Sequence, residues 1–167
     1  MHRFDLFILS INRQVVIWMM GLMATMVFCN VVMRFFLDDS ILWAEEVSRY
    51  LMIWAMFMGS GLLFRQGAHI AVDNLQDIVP DLVGRAVRIA IVAVLMIFFF
   101  SMIYIGFLYV LFQWGQVTPV TRIPFGFVYA AVPAGFLLMA YHLTMVARIW
   151  IADRRFKKQP GEVILFE

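Results

Sequence analysis

Long uninterrupted apolar runs dominate this chain of 167 residues. A helix that crosses a hydrocarbon core needs about 20 mostly apolar residues. Four stretches approach that length, at about residues 15–34, 43–64, 86–113 and 125–150. Apolar residues make up 64% of the chain and charged residues 14%, against about 45–50% and about 25% in soluble domains. Because lipid offers no partner to an open strand edge, the runs predict one all-α integral membrane domain, residues 1–167, with four transmembrane helices.

Two segments outside these runs are polar. Residues 65–85 carry apolar side chains at helical intervals and aspartates on another face, which predicts a short amphipathic surface helix between the second and third spans. A simple polar connector is the alternative. Residues 151–167 form a basic tail, which favours contact with anionic membrane lipids.

The basic residues favour one orientation. With four spans both termini lie on the same side, and that side holds ten of the thirteen Lys and Arg residues. Arg34, Arg49 and Arg122 lie on the other side. Since cytoplasmic loops carry the excess of basic residues, we expect both termini in the cytoplasm. The net charge of +2 is too small to indicate a nucleic-acid partner.

The second run begins with charged residues. Glu45, Glu46 and Arg49 precede a charge-free part, Tyr50 to Phe64, that is only about 22 Å long as a helix and is too short to span alone. Both carboxylates lie three or four residues from the guanidinium and can reach it. Transporter ion sites usually lie near mid-membrane, so charges that pair at the end of a span favour a structural or partner-contact role.

Other residues are expected beside these charges. Arg34 ends the first span and would join the same cluster, together with the acidic residues of the following loop. Trp43 and Tyr50 are typical of a membrane interface. Trp54 lies deeper on the same helix face, which could pack against another helix. The carboxylates also suit the positive end of a helix dipole.

Proline and small residues indicate how the spans are shaped and packed. Pro133, inside the fourth run, predicts a kink because proline removes a backbone hydrogen bond. Small residues recur four apart, at Ala131 and Gly135 and at Ala55 and Gly59, and this interval lets helices approach closely.

Signals for chemistry are weak. His69 and His142 occur one per segment, whereas a membrane haem site usually needs facing histidine pairs, so a haem-bearing or redox-complex anchor is an alternative hypothesis. A self-sufficient small transporter is another, but its mid-membrane positions would be expected to be polar, and here they are nearly all apolar. No spacing indicates a metal, another cofactor or an enzyme. The single Cys29 excludes a disulfide within the chain.

Two motifs connect the second run with a known family. Residues 43–54 carry the pattern W-A-E-E-x-x-R-Y-x-x-x-W, followed by Gly59. Residues 65–73 carry R-x-G-x-H-I-x-V-D, which includes Arg65, Gly67, His69 and Asp73. Together these motifs resemble the small membrane subunit of TRAP (tripartite ATP-independent periplasmic) transporters, the DctQ-like family.

The resemblance implies a subunit of a bacterial inner-membrane transporter. In that family a periplasmic substrate-binding protein delivers an organic acid, such as a C4-dicarboxylate or sialic acid, to the membrane part. The large membrane subunit holds the substrate and sodium sites and moves as an elevator, and the small subunit is a scaffold. The charges of the second run would then contact the large subunit or the docked binding protein, and Arg65, His69 and Asp73 would shape the cytoplasmic connector.

Overall fold

The computed structural model describes residues 2–65 and 81–152. Within these ranges the chain forms five helices: α1 (His2–Leu37), α2 (Leu42–Arg65), α3 (Asp81–Gln113), α4 (Phe125–Tyr129) and α5 (Ala131–Ala152). An isolated antiparallel bridge joins Val117 to Pro124 in the α3–α4 loop, residues 114–124. The predicted all-α class is therefore confirmed. Most of the predicted surface helix, residues 66–80, lies outside the described residues.

Three segments of the described part are long and apolar enough to cross a membrane. They are Asp5–Leu37, Leu82–Gln113 and Phe125–Ala147, with mean hydropathies of 2.1, 2.7 and 1.6. The sequence predicts a fourth span, but α2 does not meet the same measure. Its first turns carry Glu45, Glu46 and Arg49, which lower its apolar character. By this measure the described residues contain three candidate spans and not the predicted four, and α2 is a 24-residue helix of mixed character.

The helices α1 and α3 are longer than a bilayer requires. They contain 36 and 33 residues, which corresponds to roughly 50 Å each at 1.5 Å per residue. A hydrocarbon core is about 30 Å thick. Both helices must therefore tilt or extend their more polar ends beyond the apolar layer.

The long helices pack in the order α1, α2, α5, α3. α2 contacts α1 on one side and α5 on the other, α3 contacts α5, and the short α4 connects α3 with the start of α5. The extensive contacts among the described residues join neighbours in this order, so the four long helices form a single row, called the layer, in which α1 also reaches α5 at one end. The best-packed part lies where α5 sits between α2 and α3. Its buried residues are Phe99, Met139, Ala140, Leu143 and Val146.

Gly135 determines how closely α2 and α5 approach. A Cβ atom at this position would lie 2.6 Å from Cβ and 2.8 Å from the carbonyl oxygen of Phe57, so any side chain would push the helices apart. Phe57 and Phe136 then pack with ring centroids 6.1 Å apart. At Gly59 an added Cβ would meet only Val16, at 3.8 Å, which is ordinary contact.

The last apolar segment is interrupted at Ala130, between α4 and α5. Pro133 has no N–H to donate to the carbonyl of Tyr129, one turn earlier. Its ring also packs against α3, where a Cβ on Gly106 would lie 3.1 Å from Pro133 Cδ. Helical bonding resumes with Ala134, whose N–H donates to the carbonyl of Ala130 at 3.2 Å.

Candidate functional site

The charged residues of α2 lie at one end of the layer, together with the α1–α2 loop and the α3–α4 loop; this is called the Glu46 end. α1 stops at Leu37, and Asp38 adopts a left-handed conformation with φ 49°, as is common just after a helix. Asn30 then accepts a 2.7 Å hydrogen bond from the N–H of Ile41. The carbonyl of Ile41 accepts the first bond of α2, from Ala44 N–H at 3.0 Å. This sequence of bonds fixes where α2 begins.

Glu45 and Arg49 form an exposed ion pair on α2. Arg49 Nη2 lies 3.4 Å from Glu45 Oε1, and both side chains are 61% exposed. Such a pair is worth only about 0.3–0.5 kcal/mol on a helix surface. The four-residue spacing therefore produces the contact expected from it, but the contact contributes little to stability.

Glu46 has a different environment, since it is buried, with 4% of its surface exposed. Its Oε1 accepts a 2.5 Å hydrogen bond from the Tyr50 hydroxyl. Its Oε2 accepts hydrogen bonds of 3.0 Å from the backbone N–H groups of Val120 and Thr121. The sequence suggests that both carboxylates reach Arg49, but the described hydrogen bonds and ion pairs join only Glu45 to it. Glu46, Tyr50 and the two backbone N–H groups are called the Glu46 clamp.

The α3–α4 loop has its own internal bonds around Thr118, which is fully buried. The N–H of Thr118 donates to the carbonyl of Ile123 at 2.9 Å, and its hydroxyl accepts from Ile123 N–H at 3.0 Å. The hydroxyls of Thr118 and Thr121 are 2.8 Å apart. Arg122, between these residues, is exposed and has a positive φ of 57°. The loop is therefore a closed turn whose outer N–H groups face Glu46.

Trp54 forms a hydrogen bond with α4, the short helix that precedes the interruption at Ala130. Its indole Nε1 donates a 3.1 Å hydrogen bond to the carbonyl of Phe127, in α4. An unpaired carbonyl inside a membrane costs several kcal/mol, so a donor from α2 stabilises the helix near its break. Trp54 and Glu46, two turns apart, thus attach α2 to both halves of the α3–α4 connection.

The remaining members of the predicted cluster stand apart from the clamp. Trp43 is 52% exposed, and Arg34 is exposed at the end of α1. Neither has a hydrogen bond or ion pair among the contacts of the described residues. Beside the clamp lies an open groove of about 510 Å³ between the start of α2 and the α3–α4 loop. Its lining residues are Leu42, Glu45, Glu46, Arg49, Tyr50, Pro119, Val120 and Phe125.

A second polar group lies at the opposite end of the layer. Asn12 of α1 donates to the carbonyl of Met58 in α2 at 3.3 Å, and its amide nitrogen is 3.5 Å from Nε2 of the fully buried His142 in α5. The Tyr141 hydroxyl donates to Asp5 at 3.1 Å. These bonds connect α1 with α5 past α2. Asp5, Asn12 and Tyr141 belong to none of the motifs noted in the sequence. Tyr141 is a polar residue within an otherwise apolar stretch, whereas Asn12 lies beside Arg13 and Gln14.

The connector residues cannot be placed in this second group. Gly67, His69 and Asp73 lie outside the described residues, and for Arg65 only the helical backbone is described. A pairing of His69 with His142 therefore stays untested. Within residues 2–65 and 81–152, the acidic, histidine and cysteine side chains form no group of three or more that could hold a metal ion.

Residues 23–153 match the family described as tripartite ATP-independent periplasmic transporters, DctQ component. The ectoine TRAP transporter small permease protein TeaB of Halomonas elongata is 34% identical over 136 residues, which cover 79% of this chain and 70% of TeaB. A Haemophilus influenzae protein named as a TRAP transporter small permease protein is 34% identical over 128 residues, 75% of this chain and 78% of that protein.

A third relative matches a shorter part. The C4-dicarboxylate TRAP transporter small permease protein DctQ of Vibrio cholerae is 32% identical over 84 residues, 50% of this chain and 36% of that protein. The family match covers all of α2, the α3–α4 loop and the Glu46 clamp. The chain belongs to the DctQ family of TRAP transporter small permease subunits.

Proposed function

We propose that this chain is the scaffold subunit of a sodium-coupled TRAP transporter, and that it supports a large elevator-type membrane subunit and the docking of a substrate-binding protein. Small permease subunits of this family work with such partners in the bacterial inner membrane. The observation that carries the proposal is the single-layer packing of α1, α2, α5 and α3. A layer one helix thick leaves broad apolar faces exposed, and such faces in a membrane protein suit lipid on one side and a larger subunit on the other.

The transported substrate is proposed only as a class, small organic acids. The relatives' names differ in this respect, since one is an ectoine and another a C4-dicarboxylate subunit. Sialic acid belongs to the same proposed class. Because similar small subunits carry the names of different substrates, we infer that the other two components select the substrate.

The arrangement in the membrane is also proposed. We place α2 across the bilayer with the three candidate spans, because it lies between two of them, α1 and α5. Its Glu46 end would then lie in the outer headgroup layer, where carboxylates and a guanidinium can contact water. Both termini would lie in the cytoplasm, in accord with the ten basic residues assigned to that side.

Co-purification followed by reconstitution tests the scaffold role. An affinity tag on this chain is expected to retain the large membrane subunit of the same transporter in detergent. Proteoliposomes holding both subunits should take up substrate only with the binding protein and an inward sodium gradient. The chain alone should take up none. Full uptake by the large subunit without this chain would contradict the proposal, as would uptake by this chain alone.

A further inference from the structure

Arg122 is the most unusual residue of the Glu46 end. Its φ of 57° places it in the left-handed region, which residues other than glycine and asparagine rarely adopt. Its side chain is exposed, and among the described contacts it has no ion pair. A residue held in such a conformation is strained, and strained residues of this kind concentrate at functional sites.

The rest of the loop is built to keep Arg122 in that conformation. Glu46 accepts N–H groups from the two residues directly before it, Val120 and Thr121. The residue directly after it, Ile123, donates to the Thr118 hydroxyl at 3.0 Å. A buried carboxylate and a buried hydroxyl thus fix the backbone on both sides of an arginine that itself contributes nothing to these bonds. Stability alone would favour glycine at this position.

Arg122 lies at one end of the layer, near other charged residues. The residue lies in the loop between α3, which ends at Gln113, and α4, which begins at Phe125. It therefore lies in a loop at the end of the layer and not on a helix that can face lipid. The nearby Glu45 and Arg49 pair with each other at 3.4 Å. Arg122 is the one charged residue of the loop 114–124, and the bonds on both sides of it fix its place.

We propose that Arg122 is a contact residue for a surface carboxylate of the soluble substrate-binding protein, and that the Glu46 clamp positions it for this contact. The inference rests on the proposed function, which supplies a partner that approaches from the aqueous phase. A guanidinium recognises carboxylates through paired N–H donors. At the rim of an interface such a charge acts mainly on the association rate and on its dependence on salt.

Two substitutions at one position separate charge from backbone conformation. Arg122→Gly removes the cation and relaxes the left-handed strain, so the loop should remain folded. Arg122→Lys keeps the charge and the strain. Each variant is co-purified with the large subunit, inserted into nanodiscs, and titrated with the purified binding protein of the same transporter at low and high salt.

We expect Arg122→Gly to retain the large subunit but to weaken association of the binding protein about two- to fivefold at low salt, as an exposed ion pair implies. Its association should also depend less on salt. Arg122→Lys should stay closer to the unmodified complex in both respects. Equal association for the two variants and the unmodified complex would overturn the inference.

Failure of this inference is distinguishable from failure of the proposed function. Loss of the large subunit from the Arg122→Gly complex would assign the residue to assembly and would overturn docking as its role. If the unmodified chain never retained a large subunit, the scaffold role itself would be wrong.

Discussion

Glu46 is a buried carboxylate with neutral partners. Its donors among the described hydrogen bonds are the Tyr50 hydroxyl and two backbone N–H groups. The nearby guanidinium of Arg49 donates to Glu45 instead. Backbone N–H groups carry no counter-charge, yet several of them around one carboxylate can stabilise it well. The loop also depends on Glu46, because without it two partly buried backbone N–H groups would lose their acceptor. Glu46 therefore determines the conformation of a loop 74 residues further along the chain.

Replacing Glu46 should release the α3–α4 loop to proteolysis. In the Glu46→Ala variant, the N–H groups of Val120 and Thr121 lose their acceptor, at a cost of about 1–3 kcal/mol each. Trypsin should then cut after Arg122 at least about tenfold faster, since 1.4 kcal/mol corresponds to a tenfold change in the open population. The cut is measured in nanodiscs by the mass of the fragment that ends at Arg122.

Glu45→Ala provides the matched control for this experiment. It removes a carboxylate from the adjacent position, but its partner is the exposed Arg49 and not the loop. Its cleavage rate after Arg122 should stay close to that of the unmodified chain. If both variants were cut equally fast, the Glu46 clamp would not be what holds the loop.

The contrast between the two glutamates shows what a sequence can predict about single residues. The pair Glu45 and Arg49 follows from a spacing of four on one helix, which brings side chains together wherever the helix lies. The partners of Glu46 are backbone groups, which every non-proline residue carries. No side-chain pattern marks Val120 and Thr121 as donors, so the clamp is visible only once the loop is folded against α2.

The contact between α2 and α5 is set by the absence of one side chain. Gly135 faces the backbone and Cβ of Phe57 at distances that exclude a methyl group. Backbone atoms cannot move aside as the end of a flexible side chain can. The whole of α5 would have to shift, and with it the core that α5 shares with Phe99 of α3.

Gly135→Ala should therefore destabilise the chain by about 1–3 kcal/mol, the usual effect of overpacking, although alanine is the better helix former. Gly84→Ala in α3 is the control, since nothing lies within 4 Å of an added Cβ there, and it should be neutral or stabilising. Thermal unfolding in detergent, followed by intrinsic fluorescence, measures both. An unchanged midpoint for Gly135→Ala would show that α2 and α5 can separate freely.

Sequence patterns identify the elements better than they identify the contacts between them. The proline at position 133 predicts that helical hydrogen bonding is interrupted there. Which neighbour stabilises the interrupted segment depends on tertiary packing, and the donor is Trp54, 73 residues away in the chain. Hydropathy likewise identifies α1, α3 and α5 as apolar. It cannot show that the more polar α2 lies between two of them.

The number of spans determines on which sides the termini lie. If α2 crosses the membrane with the three candidate spans, an even number of crossings leaves both termini on one side. If it does not, the termini lie on opposite sides. Green fluorescent protein fused to either terminus should fluoresce, as it does in the cytoplasm. Alkaline phosphatase inserted after Asp39 should be active. If the green fluorescent protein fusion fluoresced at one terminus but not at the other, the four-span arrangement would be excluded.

A layer one helix thick encloses no pore. Its buried side chains lie between packed helices and its other side chains face outward, so a solute moving through the membrane could at most pass along this chain and never through it. Mutants selected for a new solute should consequently carry their substitutions in the other components. Exchange of this subunit between compatible transporters should leave solute preference unchanged while altering how much complex is assembled.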